Sequence, residues 1–102
     1  MIKETTILQG LDDEQTYESV DAFFTAHGLD EWRAKELKCF TDAGFDVTDS
    51  TKQMAEMSDD GKRVIITVAY ADQAEKDAIF ENADAGEGPA GLTQYITEDH
   101  LF

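Results

Sequence analysis

The sequence predicts an α+β fold: a four-stranded antiparallel sheet with helices on one face, arranged as a ferredoxin-like sandwich with a doubled first helical crossover. Three observations predict it. The chain begins with alternating apolar and polar residues, continues with helical spacing broken by glycines, and then contains the near-continuous apolar run Val64–Tyr70. The predicted order is strand, two helices, strand, hairpin turn, strand, helix, strand. With 102 residues, the chain is expected to form one domain over 1–102.

The spacing of the apolar residues changes between the first strand and the first helix. Apolar and polar side chains alternate from Ile2 to Gln9, as in a half-buried strand. From Asp12 the apolar residues follow helical spacing, which predicts a helix that runs from Asp12 and ends at Gly28. Acidic residues at its start favour this assignment, because a helix N-terminus attracts negative charge.

A second helix is predicted between Asp30, as N-cap, and Gly44, which suits the left-handed position after a helix. Its apolar residues predict one packing face, and they are Trp32, Leu37, Cys39, Phe40 and Ala43.

The second half of the chain predicts three strands and one helix. A strand from Phe45 to Met57 leads into the hairpin turn Ser58–Gly61, with glycine in the left-handed position. The run from Lys62 to Tyr70 predicts a central strand that is covered on both faces or nearly so. Asp72 is expected to cap a short helix that continues through Ala83, and Leu92–Thr97 predicts the last strand.

The charge of the chain excludes several classes of partner. Twenty-three acids and eight bases give a formal charge of -15, so nucleic acid and anionic membranes should repel the protein. A protein with a basic nucleic-acid-binding groove is the predicted partner. No run of residues is apolar enough for a membrane helix and the start lacks the pattern of a signal peptide, which predicts a cytoplasmic location, in a host cell if the protein is phage-encoded.

Residues that carry chemistry are few. Cys39, His27 and His100 are too far apart in sequence for a zinc-binding motif, and no serine lies in a nucleophile elbow. Cys39 is predicted to be a small core residue, and His27 to pack at the end of the first helix. We therefore predict no catalytic residue, no metal and no cofactor.

The glycine-rich segment 82–91 resembles a ligand-binding loop only superficially. It lacks the Gly-Lys-Ser/Thr ending of a phosphate loop. Its spacing Asn82-x-Asp84-x-Gly86 resembles a calcium loop, but Thr93 stands where such a loop needs glutamate. A solvated loop is the expected structure.

The acids are unevenly placed, with no lysine or arginine from Asp12 to Leu29. On the predicted helix, Glu14, Glu18, Asp21 and Thr25 form one outward stripe, although like charges at such spacing cost roughly 0.2 to 0.5 kcal/mol per pair. Carboxylates this close approximate the phosphates of one nucleic-acid strand, which follow each other every ~3.4 Å. The predicted partner-binding residues are Asp12, Asp13, Glu14, Glu18, Asp21, Asp30 and Glu31.

These observations lead to a main functional hypothesis and to alternatives. The main hypothesis is an inhibitor or decoy that occupies a basic nucleic-acid-binding groove, as an anti-restriction or anti-CRISPR protein would; in composition the chain resembles phage-encoded DNA mimics. The first alternative is a small structural or regulatory module that binds proteins, dimeric through its sheet and without catalytic activity. Adaptation to high salt and an enzymatic role also stay open, as does the oligomeric state.

Overall fold

The computed structural model describes residues 1–10, 14–82 and 92–100. It contains four strands and three helices within these ranges, in the order that the sequence predicts. They are β1 (Ile2–Gly10), α1 (Val20–Ala26), α2 (Asp30–Asp42), β2 (Gln53–Met57), β3 (Arg63–Tyr70), α3 (Gln73–Asn82) and β4 (Leu92–His100).

The four strands form one antiparallel sheet with the order β2-β3-β1-β4. Strand β1 lies in the interior of the sheet, where Ile2 is opposite Tyr70 of β3 on one side and His100 of β4 on the other. The predicted α+β class and the four-stranded antiparallel sheet are therefore confirmed.

One face of the sheet carries the hydrophobic core. Side chains alternate between the two faces of a strand, and residues paired across strands share a face. On this face Leu8 and Val64 are opposite each other and both are completely buried. The helices cover the same face with apolar side chains that join the core cluster, including Phe23, Phe24, Phe40 and Ile79.

Aromatic rings fill the part of the core beneath α2. The ring of Phe40 stacks on that of Tyr70 with centroids 6.5 Å apart, and Phe45 lies 5.3 Å from Phe40. Burial raises the pKa of the Tyr70 hydroxyl above its ordinary value, and the nearby carboxylate of Glu4 acts in the same direction. Because Phe45 is buried against Phe40, it belongs to the core, although it lies between α2 and β2 and outside the described strands.

The prediction of a helix from Asp12 is wrong, because α1 begins only at Val20. Ser19 is the N-cap, and its hydroxyl accepts a hydrogen bond from the backbone N–H of Ala22 at 3.1 Å. Upstream, the N–H of Tyr17 donates to the carbonyl of Gly61 at 2.8 Å, so the backbone there is held by the hairpin turn. Asp12 itself lies outside the described residues.

The connection between α1 and α2 contains one confirmed prediction and one wrong one. Gly28 ends α1 with a φ of 67°, in the left-handed region that favours glycine. Asp30 is the first residue of α2 and does not cap it, because Leu29 occupies the N-cap position.

The predicted strand from Phe45 is also too long, since β2 starts at Gln53. Two aspartates upstream keep the chain in turns: the Asp46 and Asp49 carboxylates accept hydrogen bonds from the backbone N–H groups of Thr48 and Thr51. Such local bonds compete with strand pairing. Gly61 has the predicted positive φ, at 71°.

Strand β3 lies between β2 and β1, as predicted for a central strand, but its two faces are covered unequally. Val64, Ile66, Val68 and Tyr70 are buried, whereas the alternate residues from Ile65 to Ala69 are half-buried. Apolar residues therefore occur on both faces of β3, but the helices cover only one of these faces.

The last two elements, α3 and β4, follow in the predicted order, but β4 is longer than predicted. Asp72 caps α3 as predicted, with its carboxylate accepting from the N–H of Glu75 at 2.8 Å. Strand β4 continues three residues beyond Thr97, to His100. The glycine-rich segment lies outside the described residues from 83 to 91.

We expect Leu8→Ala to lower the free energy of unfolding by about 2 to 5 kcal/mol, because Leu8 is completely buried and its loss leaves a cavity. Urea denaturation followed by circular dichroism measures the change. Met54→Ala is the control, since Met54 is 40% exposed and its truncation should cost much less. Equal losses for the two variants would contradict the described core.

Candidate functional site

The structure places the seven predicted partner-binding residues in separate parts of the chain. Asp12 and Asp13 lie outside the described residues. Glu14 and Glu18 lie in the irregular segment before α1, and Asp21 lies in the first turn of α1. The last two, Asp30 and Glu31, begin α2. The five described residues are all exposed.

The predicted helical stripe is therefore wrong. Glu14 and Glu18 cannot share a helical face with Asp21, because the helix starts after them at Val20. The prediction failed because Asp12, Asp13 and Glu14 have the composition of a helix N-terminus, while the serine that caps the helix comes several residues later.

Folding brings a second acidic turn beside this segment. The hydrogen bond from Tyr17 to the carbonyl of Gly61 joins residues 14–18 to the turn Ser58–Gly61. The contact is close, since a Cβ atom placed on Gly61 would lie 3.6 Å from the Cβ of Thr16. The turn carries two exposed acids, Asp59 and Asp60.

We call the resulting region the acidic surface. It is defined by five exposed residues on three adjoining pieces of chain: Glu14, Glu18, Asp21, Asp59 and Asp60. Sequence reasoning did not assign Asp59 and Asp60 to the site, because about forty residues separate them from Glu18. The sequence did contain one indication that these two acids are accessible: they lie in a polar hairpin turn, where side chains are expected to be exposed.

The hairpin turn holds the charge of Asp60 in place. Its carboxylate accepts hydrogen bonds from the Ser58 hydroxyl at 2.6 Å and from the N–H of Lys62 at 3.0 Å. These bonds, with the hydroxyl of Ser58 as the larger cause, lower the pKa of Asp60 below its usual value. Asp60 therefore stays ionised to lower pH than an ordinary aspartate.

Tyr17 connects the acidic surface to the core. Its hydroxyl forms a hydrogen bond with Nε2 of His27 at 2.9 Å, and its ring meets the ring of Phe23 edge-on at 4.9 Å. Gly10 lies against the same imidazole, so that a Cβ atom there would come within 3.0 Å of it. His27 thus packs at the end of α1, in the structural role predicted for it.

Asp30 and Glu31 lie at the opposite end of α1 from Glu18. The seven residues of α1 span about 10 Å. There the hydroxyl of Thr25 donates to the Asp30 carboxylate at 3.0 Å. The structure thus divides the predicted acids into two groups, and only Glu14, Glu18 and Asp21 belong to the acidic surface.

The sheet face that points away from the helices differs in charge from the rest of the protein. We call it the open face, and its charged residues by strand pairing are Lys3, Glu56, Arg63 and Asp99. Two bases and two acids cancel, so the formal charge of -15 resides elsewhere in the chain. The open face also presents Ile7 between its cross-strand neighbours Ile65 and Tyr95.

A groove lies between α2 and the helix side of the sheet. Its cavity of about 210 Å³ is lined by apolar side chains together with the carboxylates of Glu4 and Glu36. Burial raises the pKa of Glu36, although the Arg33 guanidinium, 3.0 Å away, opposes this effect. Lys76 pairs with Glu4 at 3.3 Å and with Glu98.

The groove does not gather the residues that would indicate an active site. His27, Cys39 and Tyr95 are absent from its lining. Cys39 is half-buried on α2. The prediction that it is a core residue is wrong, because it is not part of the core cluster. Within the described ranges, no three histidine, cysteine, aspartate or glutamate side chains are placed to hold a metal ion.

No protein-family model, curated protein or solved structure matches this chain. The described helices include none with the length and apolar composition needed to cross a membrane. The class that fold and surface define is an acidic α+β domain with a four-stranded antiparallel sheet.

Three aspartates in turns should make stability depend on pH in the acidic range. Hydrogen bonds from Thr48, Thr51 and Ser58 lower the pKa values of Asp46, Asp49 and Asp60. A carboxyl whose pKa is lower in the folded state stabilises the fold above its unfolded pKa of about 3.9, and this contribution is lost as pH falls through the folded pKa.

The triple variant Asp46→Asn, Asp49→Asn, Asp60→Asn should therefore be less stable than the wild type at pH 7, and the gap should narrow below about pH 4. Urea denaturation at a series of pH values measures it. A stability difference that does not change between pH 7 and pH 2.5 would contradict the role of these three carboxylates.

Proposed function

We propose that this protein is an inhibitor or decoy that occupies the basic nucleic-acid-binding groove of a target protein, as an anti-restriction or anti-CRISPR protein does. The observation that supports the proposal is an uneven distribution of charge: the open face is balanced, while exposed acids from two distant parts of the chain lie on segments that the hydrogen bond from Tyr17 to Gly61 joins, next to the bases Lys62 and Arg63. A basic groove would bind that surface in preference to the open face.

The backbone beneath the acidic surface is held at two points. Its segment 14–18 is fixed to the hairpin turn by the Tyr17 backbone and to the core by the Tyr17 ring. Charges that are already held in place cost less conformational entropy on binding than charges on free chain. A decoy built from turns and short segments therefore does not require the long acidic helix that the sequence predicted.

The proposed target is a protein and not a nucleic acid. The excess of negative charge repels phosphate backbones, whereas grooves rich in lysine and arginine attract it. The finer assignment of the fold as a ferredoxin-like sandwich with a doubled first crossover is also part of the proposal. The strand order β2-β3-β1-β4, the antiparallel pairing and the two helices between β1 and β2 support it.

A charge-removal experiment tests the decoy function. The variant Glu18→Gln, Asp21→Asn, Asp59→Asn removes three charges from the acidic surface and leaves intact the hydrogen bonds that Asp60 makes in the turn. Captured partners from a host lysate are identified, and the affinity of each purified partner is measured at low and high salt with double-stranded DNA as competitor.

We expect about tenfold weaker binding for this variant, because three charge pairs with the target are lost. The matched control Asp42→Asn, Asp77→Asn, Glu81→Gln removes the same number of exposed charges from α2 and α3. Equal weakening by both variants, or binding that neither salt nor DNA reduces, would show that the acidic surface is not a nucleic-acid mimic.

The open face favours a second candidate function, that of a structural or regulatory module that binds another protein through its sheet. Ile7, Ile65 and Tyr95 lie side by side on this face, and Tyr95 is 54% exposed. An apolar patch of this kind on a face with balanced charge is typical of a protein-binding surface.

The variant Ile65→Thr, Tyr95→Thr tests this second function against the first. If the open face binds the partner, these substitutions should weaken capture strongly while added salt has little effect, because apolar contacts are not screened. Binding that is unchanged in this variant would rule out the open face as the contact.

A further inference from the structure

Strand β4 forms one edge of the sheet. Within the described residues it pairs with β1 on one side only. An edge strand presents a row of backbone N–H and C=O groups that can pair with another strand. With nine residues, Leu92–His100, β4 is long for an edge, whereas β2 at the opposite edge has five.

The composition of β4 leaves this edge unprotected over most of its length. Exposed edges usually carry charged residues or proline that discourage pairing. In a chain of which 30% is charged, the first six residues of β4, Leu92 to Thr97, contain no charge. The acids of this strand, Glu98 and Asp99, are confined to its end.

Two large apolar side chains are exposed at the centre of the same edge. Tyr95 is 54% exposed and Ile96 is 58% exposed. They lie on opposite faces of the sheet, and Ile96 is exposed although it shares a face with the buried core residues. The helices therefore leave Ile96 without full cover, although Lys76 of α3 reaches Glu98 of the same strand.

We propose that β4 pairs with β4 of a second copy of this chain, antiparallel and about a two-fold axis, to form a continuous eight-stranded sheet. This inference goes beyond the decoy function and does not depend on it. The occupant of the edge is a second copy because one register pairs the strand with itself over its whole length and places no acid opposite an acid.

That register is centred on Ile96, the middle residue of Leu92–His100. It places Ile96 opposite Ile96 of the second copy, and all nine residues take part in the pairing. Glu98 is then opposite Gln94, Asp99 opposite Thr93 and His100 opposite Leu92, so that no acid faces an acid.

Neighbouring registers are less favourable. Centring the pair on Tyr95 leaves Asp99 and His100 outside the pairing and places Ile96 opposite Gln94. A register that pairs even-numbered with odd-numbered residues turns one copy over, so that the helices of the two copies lie on opposite faces of the joined sheet and the two-fold axis is lost. Centring the pair on Thr97 places Ile96 opposite Glu98 and Tyr95 opposite Asp99, and centring it on Glu98 places that carboxylate opposite itself. The register on Ile96 also buries the two isoleucines against each other.

The sheet order keeps this dimer away from the acidic surface. The hairpin turn with Asp59 and Asp60 follows β2, three strands from β4, or about 14 Å across the sheet. The two acidic surfaces of the dimer would therefore lie at opposite ends of the eight-stranded sheet.

Salt separates this inference from the decoy function. Each copy carries a charge of -15, so the copies repel each other at low ionic strength. Dimerisation should therefore strengthen as salt is added, whereas binding of a basic target should weaken. Sedimentation velocity of the full chain over about a hundredfold range of concentration, at low and high salt, measures the dimer. A monomer under all these conditions would overturn the proposal.

Matched substitutions identify the edge. Ile96→Lys places two ammonium groups opposite each other at the two-fold axis and should give a monomer. Met54→Lys makes the same change of charge on the other edge strand, where Met54 is also exposed, and should leave the dimer intact. Circular dichroism checks that both variants fold. Loss of the dimer in both, or in neither, would argue against pairing through β4.

A crosslink tests the register without weakening the edge. With Cys39→Ser to remove the native thiol, Ile96→Cys should form an intermolecular disulfide on mild oxidation, because opposite Cα atoms in an antiparallel pair are about 4.5 to 5.5 Å apart. Met54→Cys in the same background is the control and should crosslink much less. Equal crosslinking of the two variants, or none for Ile96→Cys, would overturn the register.

Discussion

The structure depends on the pairing of β1 in the interior of the sheet. Hydrogen bonds to β3 on one side and to β4 on the other fix the register of three strands at once. This register puts Ile2, Leu8, Val64 and Tyr70 on one face, where the aromatic side chains of the helices cover them. Apolar burial of this kind is the main stabilising contribution in a domain of this size.

The acidic surface is a consequence of the same sheet. Strand β3 begins directly after the hairpin turn, so its register also positions Gly61. The carbonyl of Gly61 then fixes the backbone of Tyr17, and the Tyr17 ring packs on Phe23 and bonds to His27. Acids that are distant in sequence are thereby carried on joined segments, and repulsion between them is tolerated at an exposed site.

The acidic surface and the apolar residues exposed on β4 occupy different parts of the protein. The acidic surface lies towards the β2 side of the sheet, while Tyr95 and Ile96 are exposed at the β4 edge. Interactions at the two regions respond to salt in opposite directions, because screening weakens attraction to a basic partner and also weakens repulsion between identical acidic copies. One protein can therefore use both regions without competition between them.

The sequence by itself determined the order of the elements, the glycines that end helices and turns, the aspartate that caps α3, and the net charge. These features depend on residues close together in sequence: Gly28, Gly44 and Gly61 follow two helices and close a turn, and all three take positive φ values. The start of α1 was mispredicted because two local signals competed, and the Ser19 cap together with the bond from Tyr17 to Gly61 prevailed over the acidic residues upstream.

Only the tertiary structure decided that Asp59 and Asp60 join the acidic surface, that β3 is buried on one face, and that β4 lies at an edge. The physical reason is that strand pairing and helix coverage join residues far apart in the chain, and periodicity within a segment carries no information about which segments meet.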